Sequence, residues 1–338
     1  MQHLLDAITS GNELSSQKLF DAVAWLADPA AIPEPKCAFL EGLRNRGETA
    51  AEIAGFVEAL LGRALDPEIK LELLHGPMLD VCGTGGDRLE LFNVSTTCMF
   101  VLSAGGAAVV KHGNRAITSQ CGGADVLEAL GVRIELTPHE LREQVYRHGL
   151  GFVFAPAYHP TFATIGPVRR ALAQRGVATV FNLLGPLLNP ARPANQLVGV
   201  YSPDLLPKYA EALRCLGRRS AWAVHGSGAD ELTLAGAAQV IAVENGALRS
   251  FSLDPTALGL PHAPVSALRG GDRLYNAAIL EGILSGTLQG PPLEAVVLNS
   301  AAGFVVTGLE ASMADGVSRA REAITSGAAL AKLNALRG

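Results

Sequence analysis

From Leu79 onward the chain alternates short apolar runs with stretches of helical periodicity, and no other feature restricts its architecture as much. The runs are MLDVCG, AAVVKHG, VRIEL, GFVFAP, TVFNLLG, LVGVYS, AWAVHG, AQVIAVENG and EAVVLNS. Between them lie GADVLEALG, TPHELREQVYRHG and PDLLPKYAEALRCLG, and the chain closes on LEASMADGVSRAREAITSGAALAKLNALRG. Apolar runs bounded by turn residues read as buried strands. Strands that alternate with helices build βαβ units on a largely parallel sheet, with helices over both faces. The N-terminal part follows a different grammar. SSQKLFDAVAWLAD puts Leu19, Val23 and Leu26 on one face, and ETAAEIAGFVEALLGRA repeats the device with Ile53, Phe56, Val57, Leu60 and Leu61. Thr49, followed three residues later by Glu52, fits a capping box. The expected organisation is α/β: a helical domain over residues 1–70 and a larger α/β domain with a largely parallel central sheet over residues 75–338.

At 338 residues, 49% of them hydrophobic, the chain can bury a large core. A net charge of −5 argues against nucleic acid as a partner, because binding a phosphate backbone needs a basic face. No window approaches the roughly 18 uninterrupted apolar residues of a membrane span. MQHLLDAITSGNELSS lacks the basic region and apolar core of a signal peptide, so a cytoplasmic location is expected. Cys37, Cys82, Cys98, Cys121 and Cys215 have neither C-x-x-C nor zinc spacing and read as reduced thiols.

Chemistry concentrates in a few stretches. In DVCGTGGDRLELFNVST, three glycines precede Asn93 and Ser95, good caps for the apolar helix TTCMFVLSA. Read alone, the stretch is either a glycine turn before a capped helix or an anion site made of bare N–H groups and a helix dipole. VVKHGNRAITSQCGGAD then delivers Lys111, His112, Asn114, Arg115 and Ser119 after a strand, beside a second glycine turn. That many donors at one strand end suits several phosphate oxygens. AWAVHGSGADEL carries Asp230 and Glu231 out on a loop, where an acidic doublet is either a surface feature or a magnesium site. Arg169 in GPVRRAL is either a helix-surface charge or a carboxylate clamp.

GTGGD with FNVST, then KHGNR with GGADVLEALG, then FAPAYHP, PVRRAL, FNLLGPLLNP and the Asp230-Glu231 doublet resemble the anthranilate phosphoribosyltransferase family over nearly the whole chain. The resemblance implies a homodimer with its contact in the helical domain and an active site in the cleft between the two domains. It also implies transfer of a 5-phosphoribosyl group from phosphoribosyl pyrophosphate (PRPP) to the amino group of anthranilate. By matching position, Gly83, Gly86, Asp87, Leu91, Asn93, Val94, Ser95, Thr96, Lys111, Ser119 and Gly123 would bind PRPP, with Lys111 stabilising the leaving group. Gly83, His112, Asn114, His159 and Arg169 would line the anthranilate side. Ser95, Asp230 and Glu231 would hold two Mg²⁺ per monomer. No covalent nucleophile is expected. The chain departs from the family at Arg88, Leu91, Gln120, Cys121 and Gly123, where Gly, Thr, Lys, Ser and Ser are usual. Two rival readings are a pyrimidine nucleoside phosphorylase, which resembles this fold and cleaves a nucleoside with phosphate, and a non-catalytic nucleotide-binding paralogue.

Overall fold

Four helices begin the chain in the computed structural model, which describes residues 2–116 and 120–337: α1 (Gln2–Thr9), α2 (Ser16–Leu26), α3 (Pro33–Arg46) and α4 (Ala50–Leu61). The Thr49–Glu52 capping box forms reciprocally at the start of α4. Pro33 sits in the first turn of α3, where its missing N–H costs nothing. Leu19, Val23, Leu26, Ile53, Phe56, Val57 and Leu60, the apolar stripe of the sequence, are all buried in one cluster.

The remainder alternates as expected: β1 (Met78–Gly83), α5 (Val94–Ala104), β2 (Ala108–Gly113), α6 (Gly123–Ala129), α7 (Pro138–His148), β3 (Leu150–Phe154), α8 (Ala155–Tyr158), α9 (Thr161–Gln174), α10 (Phe181–Leu184), β4 (Asn195–Gly199), α11 (Leu206–Cys215) and β5 (Ser220–His225). An antiparallel pair, β6 (Ala238–Glu244) and β7 (Ala247–Leu253), precedes α12 (Arg273–Leu284), α13 (Pro291–Thr307), α14 (Met313–Thr325) and α15 (Ala328–Leu336). The seven-stranded sheet has the order β3-β2-β1-β4-β5-β6-β7. The strands β1 to β5 are mutually parallel, and β6 and β7 run antiparallel to their neighbours.

Three apolar runs read as strands are not strands. VRIEL is an extended connection that makes a single bridge, Val132 to Arg337. TVFNLLG becomes α10 and a 3-10 turn over Gly185–Leu187. EAVVLNS lies inside α13, a helix with Ala295 through Gly303 all buried. A run buried on every side has no period that tells helix from strand. Conversely β7, ALRSFSL, is mostly exposed and carries no apolar run to announce it.

The two sheet faces meet different layers. Val81, Val109, Leu197 and Val224 pack with α5 and α13, while Cys82, Val198, Ala221 and Ala223 pack with the N-terminal helices and α11. Ile165, Val168 and Leu172 of α9 and Phe181 and Leu184 of α10 join the latter cluster, so the chain returns to the helical layer after β3. From β1 it builds outward to β2 and β3, then resumes at β4 on the other flank. That reversal of winding, between β1 and β4, is where open α/β sheets hold ligands. Gly83 and Gly199 face each other there in register. Neither tolerates a side chain: a Cβ on Gly199 would lie 1.5 Å from the Asp230 carbonyl oxygen, and one on Gly83 would lie 2.2 Å from Asp230 Oδ2.

Candidate active site

The loop after β1 is anchored at both ends. Thr84 N donates to Gly199 O at 2.9 Å, and Phe92 N donates to Leu268 O at 3.0 Å beside a Leu91–Arg269 bridge. Leu91 packs its side chain against the core, and Glu90 pairs with Arg269 at 2.8 Å and accepts from Gln120 at 3.3 Å. Arg88 holds φ at 59°, a left-handed geometry that glycine adopts without cost. Asn93 occupies the N-cap of α5, but its side chain does not cap the helix. Its Nδ2 donates to Cys121 O at 3.1 Å and its Oδ1 accepts from Asn276 at 3.0 Å.

Ser95, one residue into α5, joins two charged groups. Its N–H donates to Glu231 Oε1 at 3.2 Å, and its hydroxyl accepts from Lys111 Nζ at 3.2 Å. Lys111 also donates to Val81 O at 2.5 Å. Asp230 accepts from Gly85 N at 2.6 Å and lies against Asp87. Burial first, and then Asp87, pushes the Asp230 carboxyl up to about 7. Burial and Asp230 push Glu231 up to about 8, with Lys111 opposing. Asp87, Asp230 and Glu231 thus crowd together, and Lys111 opposes the burden on Glu231 alone. Among the described residues no group of three or more His, Cys, Asp and Glu forms a ready-made metal cage. The donor set is all oxygen, which suits a hard cation that keeps water and phosphate ligands. Gly123 opens α6 beside this group, and a Cβ there would come within 2.9 Å of Thr96 Oγ1. Val94 is core, and Gly86 lies at φ 92° beneath Tyr201.

Successive residues of a strand point to opposite faces. His112 therefore turns away from Lys111, toward the helical layer. Its Nδ1 lies 3.1 Å from Gly185 O, an acceptor only, so that nitrogen carries the proton. Its buried Nε2 has no partner among the described residues. Burial lowers its pKa to about 3. His159 packs edge-on at 5.3 Å and donates through Nε2 to Leu188 O at 2.8 Å; burial lowers its pKa to about 4. The row continues through Phe162 and Phe181 to Arg169, whose guanidinium stands 5.7 Å and 5.4 Å from the two ring centres. Burial alone lowers the Arg169 pKa, with no carboxylate to oppose it.

The structure thus gathers Gly83, Asp87, Ser95, Lys111, Asp230 and Glu231 on one side of the β2 tip, and His112, His159 and Arg169 on the other. Asn114 is exposed beyond that tip, with its Oδ1 accepting from Arg115 N at 2.7 Å. Ser119 lies outside the described residues. Sequence reading missed Phe162 and Phe181, which flank Arg169, and Asp80, Asn189, Gln196 and Arg218, all buried behind His112. An aspartate inside the apolar run MLDVCG was the available signal.

Comparison with known proteins identifies the family. A family model described as "Glycosyl transferase family, helical bundle domain" matches residues 2–64, and one described as "Glycosyl transferase family, a/b domain" matches residues 75–330. An anthranilate phosphoribosyltransferase of Roseiflexus sp. (strain RS-1) is 44% identical over 97% of this chain and 95% of its own length. One from Haloferax volcanii is 43% identical over 100% of this chain and 99% of its own. The chain belongs to the anthranilate phosphoribosyltransferase family. Among solved structures, the anthranilate phosphoribosyltransferase of Thermus thermophilus superposes with a TM-score of 0.91 at 40% identity, covering 99% of each chain. That of Saccharomyces cerevisiae, in complex with PRPP and Mg, gives 0.88 at 29% identity over 99% of this chain and 97% of its own.

Proposed function

We propose that this member of the anthranilate phosphoribosyltransferase family transfers the 5-phosphoribosyl group of PRPP to the amino nitrogen of anthranilate and releases pyrophosphate. One observation carries the reading: Lys111 and His112, adjacent in sequence, head two chemically distinct half-sites on opposite faces of one strand. The first, with Lys111, Ser95 and bare glycine backbone, suits a diphosphate. The second, a guanidinium beside two aromatic rings with no ion pair among the described residues, suits an aromatic carboxylate.

In the reaction the amine lone pair forms the new bond to C1 of the ribose, and the nitrogen then sheds one of its two protons to water or to the departing pyrophosphate. The C1–O bond breaks, and its electron pair leaves with pyrophosphate. Lys111 neutralises the charge that grows on the departing oxygens. Arg169 orients the acceptor through its carboxylate, while neutral His112 and His159 wall that pocket without repelling or attracting the anion. An aromatic amine is uncharged at pH 7, so no strong base is needed. The oxygen donors Asp87, Asp230, Glu231 and Ser95 would hold two Mg²⁺, whose contribution is to bind and stabilise the diphosphate. The crowding of Asp87, Asp230 and Glu231, which raises the Asp230 and Glu231 carboxyls, supports that assignment, because a bound cation would relieve it. We assign the protein to the cytoplasm as a homodimer joined through its helical layer, where Phe20 and Ile32 are exposed. None of the described helices is long and apolar enough to cross a membrane.

Anthranilate fluorescence tests the reading. Adding PRPP with Mg²⁺ to enzyme and anthranilate should abolish the signal and release pyrophosphate, and omitting the metal should prevent both. Phosphorolysis of thymidine or uridine without anthranilate consumption would mean a nucleoside phosphorylase instead.

A further inference from the structure

The central sheet forks at the end that carries the site. Strands β1 and β2 pair through Met78–Ala108 and Leu79–Val109, yet both run on to Gly83 and Gly113. On their outer edges they stay paired throughout, β1 with β4 as far as Gly83–Gly199 and β2 with β3 as far as Gly113–Phe154. Inside the fork, side chains stand in for the missing ladder. Asp80 Oδ1 accepts from His112 N at 3.1 Å, and Asn189 Nδ2 donates to Val110 O at 2.7 Å.

Asp80 has no exposed surface, an expensive place for a charge. His112 N, Gln196 Nε2 at 3.3 Å and Cys82 Sγ at 3.7 Å donate to it, Asn189 adds a side-chain hydrogen bond, and Lys111 offsets part of the cost of its burial. Only a group that accepts through both oxygens can serve them all; an amide would turn an NH₂ toward one of these donors. Gln196, paired in register with Asp80, also donates to Pro186 O at 2.6 Å and accepts from Arg218 Nε at 3.2 Å. Arg218 is itself buried and placed to complement the charge of Asp80 through Gln196.

We propose that Asp80, backed by Gln196 and Arg218, is a positioning residue for the transfer. By holding His112 N across the fork it fixes the tip of β2, with Lys111 on one face and His112 on the other, relative to β1 and the glycine loop that follows it. The inference rests on the phosphoribosyl transfer proposed above. Displacing a reacting group by about 1 Å can cost on the order of 100-fold in rate while leaving each substrate bound. The signature of such a residue is therefore a kcat effect without a matching KM effect.

The test is Asp80→Asn in the full-length protein with Mg²⁺, PRPP and anthranilate. The folded variant should lose about 10- to 100-fold in kcat, with both KM values within about threefold of the parent. In ¹⁵N-histidine-labelled protein the His112 amide proton should move upfield as its carboxyl acceptor is replaced by an amide. Gln196→Met keeps the Asp80–His112 bond and removes one supporting donor; its kcat should fall about threefold or more, and it serves if Asp80→Asn does not fold. A folded variant with parental kcat and merely a lower melting temperature would overturn the positioning role. An inactive parent would overturn the proposed function instead, so the two failures are distinguishable.

Discussion

The acceptor side is built from charges withheld. His112 and His159 are each buried and each bound through one N–H to a backbone carbonyl, and their pKa values fall to about 3 and 4. Both rings should remain neutral at pH 5.5, with His112 protonated at Nδ1 and His159 at Nε2, as ¹⁵N ring shifts would report. Because the unfolded chain takes up these protons near pH 6.5 and the folded one does not, their contribution to stability is present above that pH. It should be lost as pH falls toward 3–4, and His112→Asn should flatten that part of the acid-unfolding profile. Arg169 is the residue whose loss should be felt by one substrate alone. Arg169→Ala should raise the KM for anthranilate by about tenfold or more and leave that for PRPP nearly unchanged, because it removes a charge-assisted pair to the acceptor. Steady-state kinetics with each substrate varied in turn would check this. Lys111, His112, Asp230 and Glu231 stood out in the sequence as polar residues beside glycine turns at strand ends, a pattern that a solvated loop shares and that only the resemblance turned toward substrate binding. Phe162 and Phe181 did not, since an aromatic residue on an apolar helix face looks the same whether it flanks a ligand or fills a core.

At the scale of elements, backbone-to-backbone approach governs the site. The Asp230 loop presses on Gly199 so closely that an added methyl has no room. Gly199→Ala should cost about 1–3 kcal/mol of stability, seen as a lower urea midpoint at unchanged slope. It should also raise the Mg²⁺ concentration needed for half-maximal activity as the loop carrying both acids is pushed away. The alternation of runs and helices marked out β1 to β5 because parallel central strands are largely apolar, and the antiparallel β6 showed as the apolar run AQVIAVENG. The same uniformity misled at EAVVLNS, where the burial of α13 on all sides erased its helical period. TVFNLLG failed differently: Asn182, inside the run, bonds back to Thr179 N at 2.8 Å and starts a helical turn. The fork between β1 and β2 was out of reach, because pairing register depends on which strands become neighbours.

In the whole molecule, α9 and α10 tie the acceptor pocket to the helical layer, while Lys111 and Ser95 belong to the sheet and α5. The helical layer also presents Phe20 and Ile32 to solvent. Light scattering should give twice the chain mass of 35.2 kDa for the parent, and replacing both residues with Asp should shift the population toward the single-chain mass. The opposed facing of Lys111 and His112 has an evolutionary corollary. With the roles proposed above, leaving-group chemistry and choice of nucleophile would occupy separate sides of one backbone segment, so mutations that retool the aromatic row could explore new amines while the machinery that cleaves the sugar phosphate stays intact. A lineage descending from such a scaffold would be expected to diversify in what it modifies long before it changes what it spends.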